Sequence, residues 1–178
     1  VETKGLSYIP VVTGTTYNPS LITQLPGNPA VSSNHGTTTT TDNATVTATQ
    51  TSATTFNVVS NVPESGDFTF STIGWGYFNA SNTFVGTGAT LPSSVVLALN
   101  GTAGRTLKVE FVSTTNPDTK RIFSVTLAAG QQNFAFDLTG FGTVAMMNVV
   151  QDQVGATNYT VETKGLSYIP VVTGTTYN

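Results

Sequence analysis

Short alternations of apolar and polar residues run through the chain from residue 44 onward. In the segment Thr106–Ser113, for example, Leu107, Val109 and Phe111 alternate with polar or charged residues. Such alternation places the apolar side chains on one face of a half-buried strand. The same kind of pattern predicts further strands at 45–50, 54–60, 67–73, 75–78, 121–128, 133–138, 158–164 and 166–171.

Two continuous apolar runs, at 94–99 and 143–151, predict strands that are buried on both faces. Turn signals such as Asn116-Pro117-Asp118 separate the strands, and no 3.6-residue periodicity typical of an amphipathic helix is present. Closely spaced short strands are typical of an all-β sandwich. About 130 residues of this pattern suffice for two sheets around one core.

Residues 12–42 differ from the rest of the chain because they contain Pro19, Pro26, Pro29 and a threonine run at 37–41. Proline and glycine interrupt strand ladders, so we predict an extended Thr/Pro-rich linker that lies partly against a domain. The threonine run is a candidate acceptor of O-linked glycans, or simply part of a stiff spacer. The predicted organisation is 1–11 as the last strand of a preceding repeat or a donated strand, 12–42 as linker, 43–172 as the sandwich domain and 173–178 as the start of the next linker.

The two ends of the chain have the same sequence. Residues 1–18 and 161–178 both read VETKGLSYIPVVTGTTYN, which gives a period of 160 residues. We interpret this as a tandem array of a surface stalk or fibre, with an end duplicated by cloning as the alternative. Strand pairing or exchange between units would then involve Val1, Leu6, Tyr8, Ile9, Val161, Leu166, Tyr168 and Ile169.

Composition excludes several classes of protein. There is no cysteine, so disulfide frameworks and cysteine-ligated metal sites are excluded. Lys and Arg number 6 against a net charge of −3, which argues against nucleic-acid binding. No apolar run reaches the length of a transmembrane helix. Low charge and abundant Thr, Gly and Asn favour an extracellular or cell-surface protein of a prokaryote.

The sequence offers few groups for catalysis, so we predict that the chain is not an enzyme. The single histidine, His35, lies in the predicted linker, where a solvated role is the ordinary one. None of the nucleophile, zinc-protease or phosphate-loop motifs occurs. No cofactor is expected, with a structural calcium ion at Glu64 and Asp67 as the one alternative to a solvated turn.

Two kinds of residue are candidates for contact with glycans. Trp75 and Tyr77 can stack on sugar rings, because Gly74 and Gly76 leave the Trp75 ring accessible; packing inside the protein is the alternative role for both aromatics. Four Asn-X-Ser/Thr sequons are possible glycosylation sites, at Asn43, Asn79, Asn100 and Asn158.

The segment Thr106–Pro170 resembles the C-terminal half of bacterial carbohydrate-binding modules of the galactose-binding-like type. The resemblance rests on Val125–Leu138, with its phrase VTLAAGQQNFAFDL, and on Gly155–Tyr168. It implies a jelly-roll β-sandwich and, further, glycan binding or a structural calcium ion. In such modules an acidic residue often begins the last strand, and Glu162 stands at that position.

These observations lead to two functional hypotheses. The first is a structural repeat unit of a long extracellular fibre, stalk or sheath, whose partner is a further copy of itself through strand pairing or exchange. The alternative is a carbohydrate-binding module, or an adhesin repeat, that recognises a polysaccharide through exposed aromatics. A repeat that only spaces a distal binding tip is a third possibility.

Overall fold

The computed structural model describes residues 15–17, 30–34, 44–65, 69–76, 89–91, 93–113, 118–163 and 168–170. These residues form thirteen strands. They are β1 Thr15–Tyr17, β2 Ala30–Asn34, β3 Thr45–Gln50, β4 Thr55–Val62, β5 Phe70–Gly76, β6 Ala89–Thr90, β7 Ser94–Gly101, β8 Thr106–Ser113, β9 Lys120–Thr126, β10 Gln132–Asp137, β11 Thr143–Gln151, β12 Gly155–Glu162 and β13 Tyr168–Pro170. Within this part of the chain, no helix is long and apolar enough to cross a membrane.

Eleven of the strands form two antiparallel sheets. The five-stranded sheet has the order β10-β7-β12-β4-β3, and the six-stranded sheet has the order β2-β5-β11-β8-β9 with β6 beside β11. The remaining two strands, β1 and β13, pair with each other. The predicted all-β class and jelly-roll-type sandwich are therefore confirmed.

One apolar core lies between the two sheets. Phe111 and Phe123 of the six-stranded sheet have ring centroids 5.8 and 5.0 Å from that of Phe136 in the five-stranded sheet, and 6.1 Å from each other. At another point of the core Phe56 meets Trp75 edge to face at 5.6 Å. Alternation along each strand supplies these side chains, and their burial is the main stabilising term of the fold.

Hydrogen bonds from Arg105 hold the turn between β11 and β12, residues 152–154, against the start of β8. The Arg105 guanidinium donates to the carbonyls of Gln153 (2.9 Å), Val154 (2.9 Å) and Gly155 (3.2 Å) and to Thr157 Oγ1 (2.7 Å). Gly155 has a φ of 103°, a left-handed conformation that a side chain would strain. This arginine therefore satisfies carbonyls that the turn leaves without ladder partners.

Most predicted strands lie where the pattern placed them, and β3, β8 and β11 have the predicted bounds. The differences concern β5, β2, β1, which also lies within the range predicted as linker, and β6, for which no strand was predicted. One continuous strand, β5, replaces the end of the predicted strand 67–73 and the start of the predicted strand 75–78. Strand β2 lies within the range predicted as linker and pairs with β5 from Ala30↔Gly74 to Asn34↔Phe70. The backbone groups on that edge of β5 provide the pairing surface, which the side-chain pattern did not reveal. The proposed division into linker and domain stays a prediction.

Candidate functional site

The outward face of the five-stranded sheet is lined by threonine and asparagine. In β4, buried Phe56, Val58, Ser60 and Val62 alternate with outward-pointing Thr55, Asn57, Val59 and Asn61, of which Val59 is apolar and 56% exposed. The same alternation in β3 and β12 leaves short polar side chains on the solvent side. We call this surface the Thr/Asn face; it consists of Thr45, Thr47, Thr49, Thr55, Asn57, Asn61, Asn100, Asn158, Thr160 and Glu162.

Strand register arranges these side chains in rows across the sheet. Thr49 pairs with Asn57, Asn57 with Thr160, and Thr160 with Asn100, so one row crosses four strands. Residues directly opposite each other on one face have Cβ atoms about 4.5–5.5 Å apart. Hydroxyl and amide groups in one row can therefore contact successive groups of a single extended ligand.

A shallow pocket lies on this face. It is lined by Thr55, Ala98, Asn100, Gln131, Thr160 and Glu162, and its volume is about 90 Å³. Pockets that enclose drug-sized ligands measure roughly 300–1,000 Å³. The pocket can therefore hold one edge of a molecule that lies across the sheet, but it cannot enclose a molecule of that size.

The chemistry of the pocket is that of hydrogen bonding by mostly uncharged groups. The Thr55 hydroxyl donates to Glu162 Oε2 at 3.1 Å, which holds the carboxylate at the pocket wall. The Thr160 hydroxyl donates to the Asn100 carbonyl at 3.4 Å. A carboxylate accepts hydrogen bonds, and the amides of Asn100 and Gln131 both donate and accept. Such a set matches ligands that carry many hydroxyl groups.

A second carboxylate of the same sheet, Asp137, has a separate role. The hydroxyl and the backbone N–H of Thr139 both hydrogen-bond to it and lower the pKa of the Asp137 carboxyl. The backbone N–H to Asp137 Oδ1 distance is 2.8 Å. This carboxylate therefore closes a turn at the end of β10, away from the pocket.

Trp75, one of the two aromatics predicted to stack on sugars, does not form an exposed platform. Trp75 lies in β5 of the six-stranded sheet, is 3% exposed and packs on Phe56, so its ring has no face open to a sugar. The flanking glycines do not expose it, because alternation points Trp75 into the core. Trp75 thus has the packing role that was the alternative, and Tyr77 lies outside the described residues.

Two of the acidic residues named as calcium candidates, Glu64 and Glu162, lie toward opposite ends of β4. Thr55 pairs with Glu162 at one end of β4, whereas Glu64 follows the other end of the strand. Seven residues of extended chain separate these ends by roughly 24 Å. Asp67 lies outside the described residues, and within the described part no cluster of three or more His, Cys, Asp or Glu side chains is close enough to hold a metal ion.

The remaining predicted residues fall in different places. Val161 is fully buried in the core, and β13 carries Tyr168 and Ile169, paired with Tyr17 and Thr16. Asn100 and Asn158 are exposed on the Thr/Asn face. The residues outside the described part of the chain are Val1, Leu6, Tyr8, Ile9, His35, Asn43, Asn79 and Leu166.

Sequence reasoning missed most of the pocket. Thr55, Gln131 and Thr160 were not singled out, although Thr55 and Thr160 occupy outward positions of predicted strands. The available signal was the repeated occurrence of Thr and Asn at those alternate positions. Because threonine is abundant throughout the chain, composition alone does not assign these threonines to one face.

Comparison with known proteins finds similarity in solved structures alone. No protein-family profile matches the chain, and no curated protein matches it. The family 11 carbohydrate-binding module of a cellulosomal cellulase of Clostridium thermocellum aligns with a TM-score of 0.49 at 9% identity, over 76% of this chain and 85% of that one. A variant of the family 29 module CBM29-2 complexed with mannohexaose aligns with a TM-score of 0.48 at 10% identity, over 85% and 90%. The chain is thus similar in backbone to carbohydrate-binding modules.

Proposed function

We propose that this chain is a non-catalytic extracellular module that binds a polysaccharide across its Thr/Asn face. The observation that carries the proposal is the pocket of Thr55, Asn100, Gln131, Thr160 and Glu162, which joins one carboxylate to neutral hydrogen-bonding groups. Sugars present several hydroxyl groups that both donate and accept hydrogen bonds. The side chains of this pocket can satisfy both directions.

The form of the site favours a polymer over a small sugar. A pocket of about 90 Å³ makes few contacts with one ring, whereas the Thr/Asn rows continue beyond it across neighbouring strands. An extended chain can gain many weak contacts along those rows, and affinity then grows with chain length. The structural neighbour complexed with mannohexaose binds a six-sugar chain, which suits a first choice of ligand.

A hydrolytic function has less support. Glycoside hydrolysis canonically uses two carboxyl groups on either side of the bond that is cleaved. Among the residues that line the pocket, Glu162 alone carries a carboxylate. We therefore assign Glu162 to ligand binding, where it would accept hydrogen bonds from sugar hydroxyls.

The test is affinity electrophoresis in gels containing soluble mannan, β-glucan or xylan, followed by calorimetry with mannohexaose and cellohexaose. Glu162→Gln should weaken binding about tenfold, because a hydrogen bond to a charged acceptor is worth about 1.5–3 kcal/mol and one to the neutral amide that replaces it about 0.5–1.5 kcal/mol. Glu110→Gln is the matched control, since Glu110 is a carboxylate on the outward side of the other sheet. Absence of binding to every polymer, or equal effects of the two substitutions, would contradict the proposal.

A structural role is a second candidate because of the identical ends. Residues 1–18 and 161–178 are the same, and β1 from the first copy pairs with β13 from the second. We propose that such units also build a fibre or stalk by association of copies. Electron microscopy of the purified chain, with sedimentation over a range of concentrations, tests this: filaments with an axial repeat of one sandwich are expected. A chain that stays monomeric at all concentrations would contradict it.

A further inference from the structure

The pocket of the Thr/Asn face contains a chemically labile pair of residues. The sequence has a single Asn-Gly pair, Asn100-Gly101, and it lies at the end of β7. Asn100 is exposed and lines the pocket. A glycine has no side chain to shield its backbone nitrogen, so this nitrogen can attack the side-chain carbonyl carbon of the preceding asparagine. That reaction converts the amide into a carboxylate.

The fold requires a glycine after Asn100. Gly101 faces Tyr159 of β12 in the sheet register. A Cβ on Gly101 would lie 2.6 Å from the Asn158 carbonyl oxygen, 2.7 Å from the Tyr159 Cβ and 2.9 Å from the Leu127 Cδ1. These distances are too short for non-bonded contacts to carbon, so a side chain does not fit at this position. The labile pair is therefore a consequence of the close packing of β7 against β12.

The attacking nitrogen lies where strand pairing has ended on one side of β7. The Thr102 N–H donates to the facing Asn158 carbonyl at 3.0 Å, so these two residues form a hydrogen-bonded pair. Such pairs alternate with non-hydrogen-bonded ones, so the N–H of Gly101 points away from β12 and toward the side of β10. The pairing of β10 with β7 ends at Gln132↔Leu99. The described strands therefore do not hold the Gly101 nitrogen in a ladder.

We propose that Asn100 is a site of spontaneous deamidation that weakens ligand binding on the Thr/Asn face. The Gly101 nitrogen forms a bond to Asn100 Cγ, and the side-chain nitrogen leaves as ammonia with the proton of the Gly101 N–H. Water from the solvent then opens the resulting five-membered ring at either carbonyl, which gives aspartate or isoaspartate. The modification itself needs no ligand, whereas its effect on binding rests on the polysaccharide function proposed above.

Deamidation changes the chemistry of the pocket. Asn100 faces Thr160, and Glu162 is two residues further along β12. Diagonal neighbours of this kind lie roughly 7–8 Å apart, so the new carboxylate stands near that of Glu162. The pocket then has two negative charges in place of one, and it loses the amide donor of Asn100. Both products should therefore bind a neutral polysaccharide less tightly.

Peptide mapping by mass spectrometry tests the modification. The full chain is made in a bacterium without N-glycosylation, incubated at pH 6 and pH 9, and sampled over time. Asn100 should deamidate several-fold faster than Asn61 and Asn158, which are exposed on the same face but precede valine and tyrosine. The reaction should be faster at pH 9, because the attacking nitrogen must lose its proton. A folded chain in which Asn100 reacts no faster than Asn61 and Asn158 would overturn the proposal.

Calorimetry with mannohexaose tests the consequence for binding. Asn100→Asp supplies the aspartate product directly and should weaken binding about five- to tenfold, which corresponds to the loss of about one hydrogen bond. Ser124→Asp is the matched control, because it adds a carboxylate at an exposed position of β9, in the other sheet. This control should bind like the unmodified chain.

The outcomes separate this proposal from the proposed function. Unchanged binding in Asn100→Asp, beside weakened binding in Glu162→Gln, would keep the polysaccharide site and overturn the role of Asn100 in it. Unchanged binding in both variants would contradict the polysaccharide function, and with it the effect of deamidation on binding. Rapid deamidation at Asn100 in the peptide map would establish the modification in either case, because that measurement uses no ligand.

Discussion

The two sheets of the sandwich have similar inner faces and different outer faces. Both inner faces contribute large apolar side chains to one core, such as Phe111 from β8 and Leu97 from β7. On the outer face of the six-stranded sheet, Lys108 pairs with Asp152, and Lys120 lies 3.9 Å from Glu110. The outer face of the five-stranded sheet has Thr and Asn at most positions, with Glu162 in its pocket.

This difference distinguishes the inward residues, which the fold requires, from the outward residues, which the fold leaves free to vary. Most inward positions are apolar on both sheets because their burial provides most of the stability. Outward positions are under no such constraint, and on the six-stranded sheet they carry ordinary surface ion pairs. An outer face with hydroxyl and amide rows is not needed for folding, and we therefore propose the binding site there.

The largest expected effect is a loss of unfolding free energy, and it tests whether the two inner faces contribute equally to stability. Phe111→Ala and Leu97→Ala each remove a fully buried side chain, one from each sheet. Such truncations cost about 2–5 kcal/mol of unfolding free energy, through lost burial and the cavity left behind. Urea denaturation followed by Trp75 fluorescence measures the loss. Ile122→Ala is the control, since Ile122 is 51% exposed on the outer side of β9; a loss from Ile122→Ala as large as that from Phe111→Ala would break the comparison.

A smaller effect concerns the buried polar groups. Both inner faces pair such groups, since on the five-stranded side the Ser60 hydroxyl donates to the Thr157 carbonyl at 3.1 Å. On the six-stranded side the Ser71 hydroxyl donates to Gln151 Oε1 at 3.1 Å. On the five-stranded side the Tyr159 hydroxyl is buried without a hydrogen-bond partner among the described residues. Tyr159→Phe removes an unsatisfied group and should raise the unfolding free energy by about 1–2 kcal/mol. Destabilisation by this substitution would show that the hydroxyl makes a favourable contact.

Tyr159 should also make the unfolding free energy depend on pH. Burial raises the pKa of the Tyr159 phenol above its ordinary value of about 10. The unfolding free energy therefore keeps its full value below pH about 10. It falls at higher pH, where the phenol of the unfolded chain ionises and that of the folded chain stays neutral. Denaturation at pH 9 and pH 11 should show a smaller decrease for Tyr159→Phe than for the unmodified chain. Equal decreases would mean that Tyr159 is not the responsible group.

The fold could be predicted from sequence largely because alternation is a direct consequence of burial. In β8 the alternate residues Leu107, Val109 and Phe111 face the core, and the predicted bounds agree with the observed ones. Strand β2 could not be predicted in this way, since it is held by backbone pairing with β5. The pairing of β1 with β13 is a contact between distant segments, and local pattern carries no information on it.

The site was harder to predict because function was assigned by residue type. Trp75 is the residue type most suited to sugar stacking, but its position in β5 points it into the core. Thr55 and Thr160 are common residues in this chain, and they become a candidate site through the register that places them beside Glu162 and Asn100. Register between strands that are far apart in sequence is set by the whole sheet, so it is not visible in any one segment.

A still smaller effect is expected from the ion pairs of the six-stranded sheet. Lys108→Gln removes the partner of Asp152 on the outer surface. Exposed ion pairs contribute about 0–1 kcal/mol, and salt screens them. The loss of unfolding free energy should therefore be below about 1 kcal/mol at low salt and should vanish in 1 M NaCl. A salt-independent loss would show that the Lys108 stem stabilises by packing.

The smallest effect on stability should come from the residue with the largest expected effect on binding. Glu162→Gln keeps an oxygen that can accept the Thr55 hydroxyl, and it removes the charge from the pocket. Because Glu162 is on the outward side of β12, we expect the unfolding free energy of the Glu162→Gln variant to differ from that of the unmodified chain by less than about 0.5 kcal/mol. Denaturation of the variant beside calorimetry with mannohexaose separates the two properties. A loss of binding with unchanged stability would assign the Thr/Asn face to ligand recognition, whereas a loss of both would make Glu162 a structural residue and remove the main support for the site.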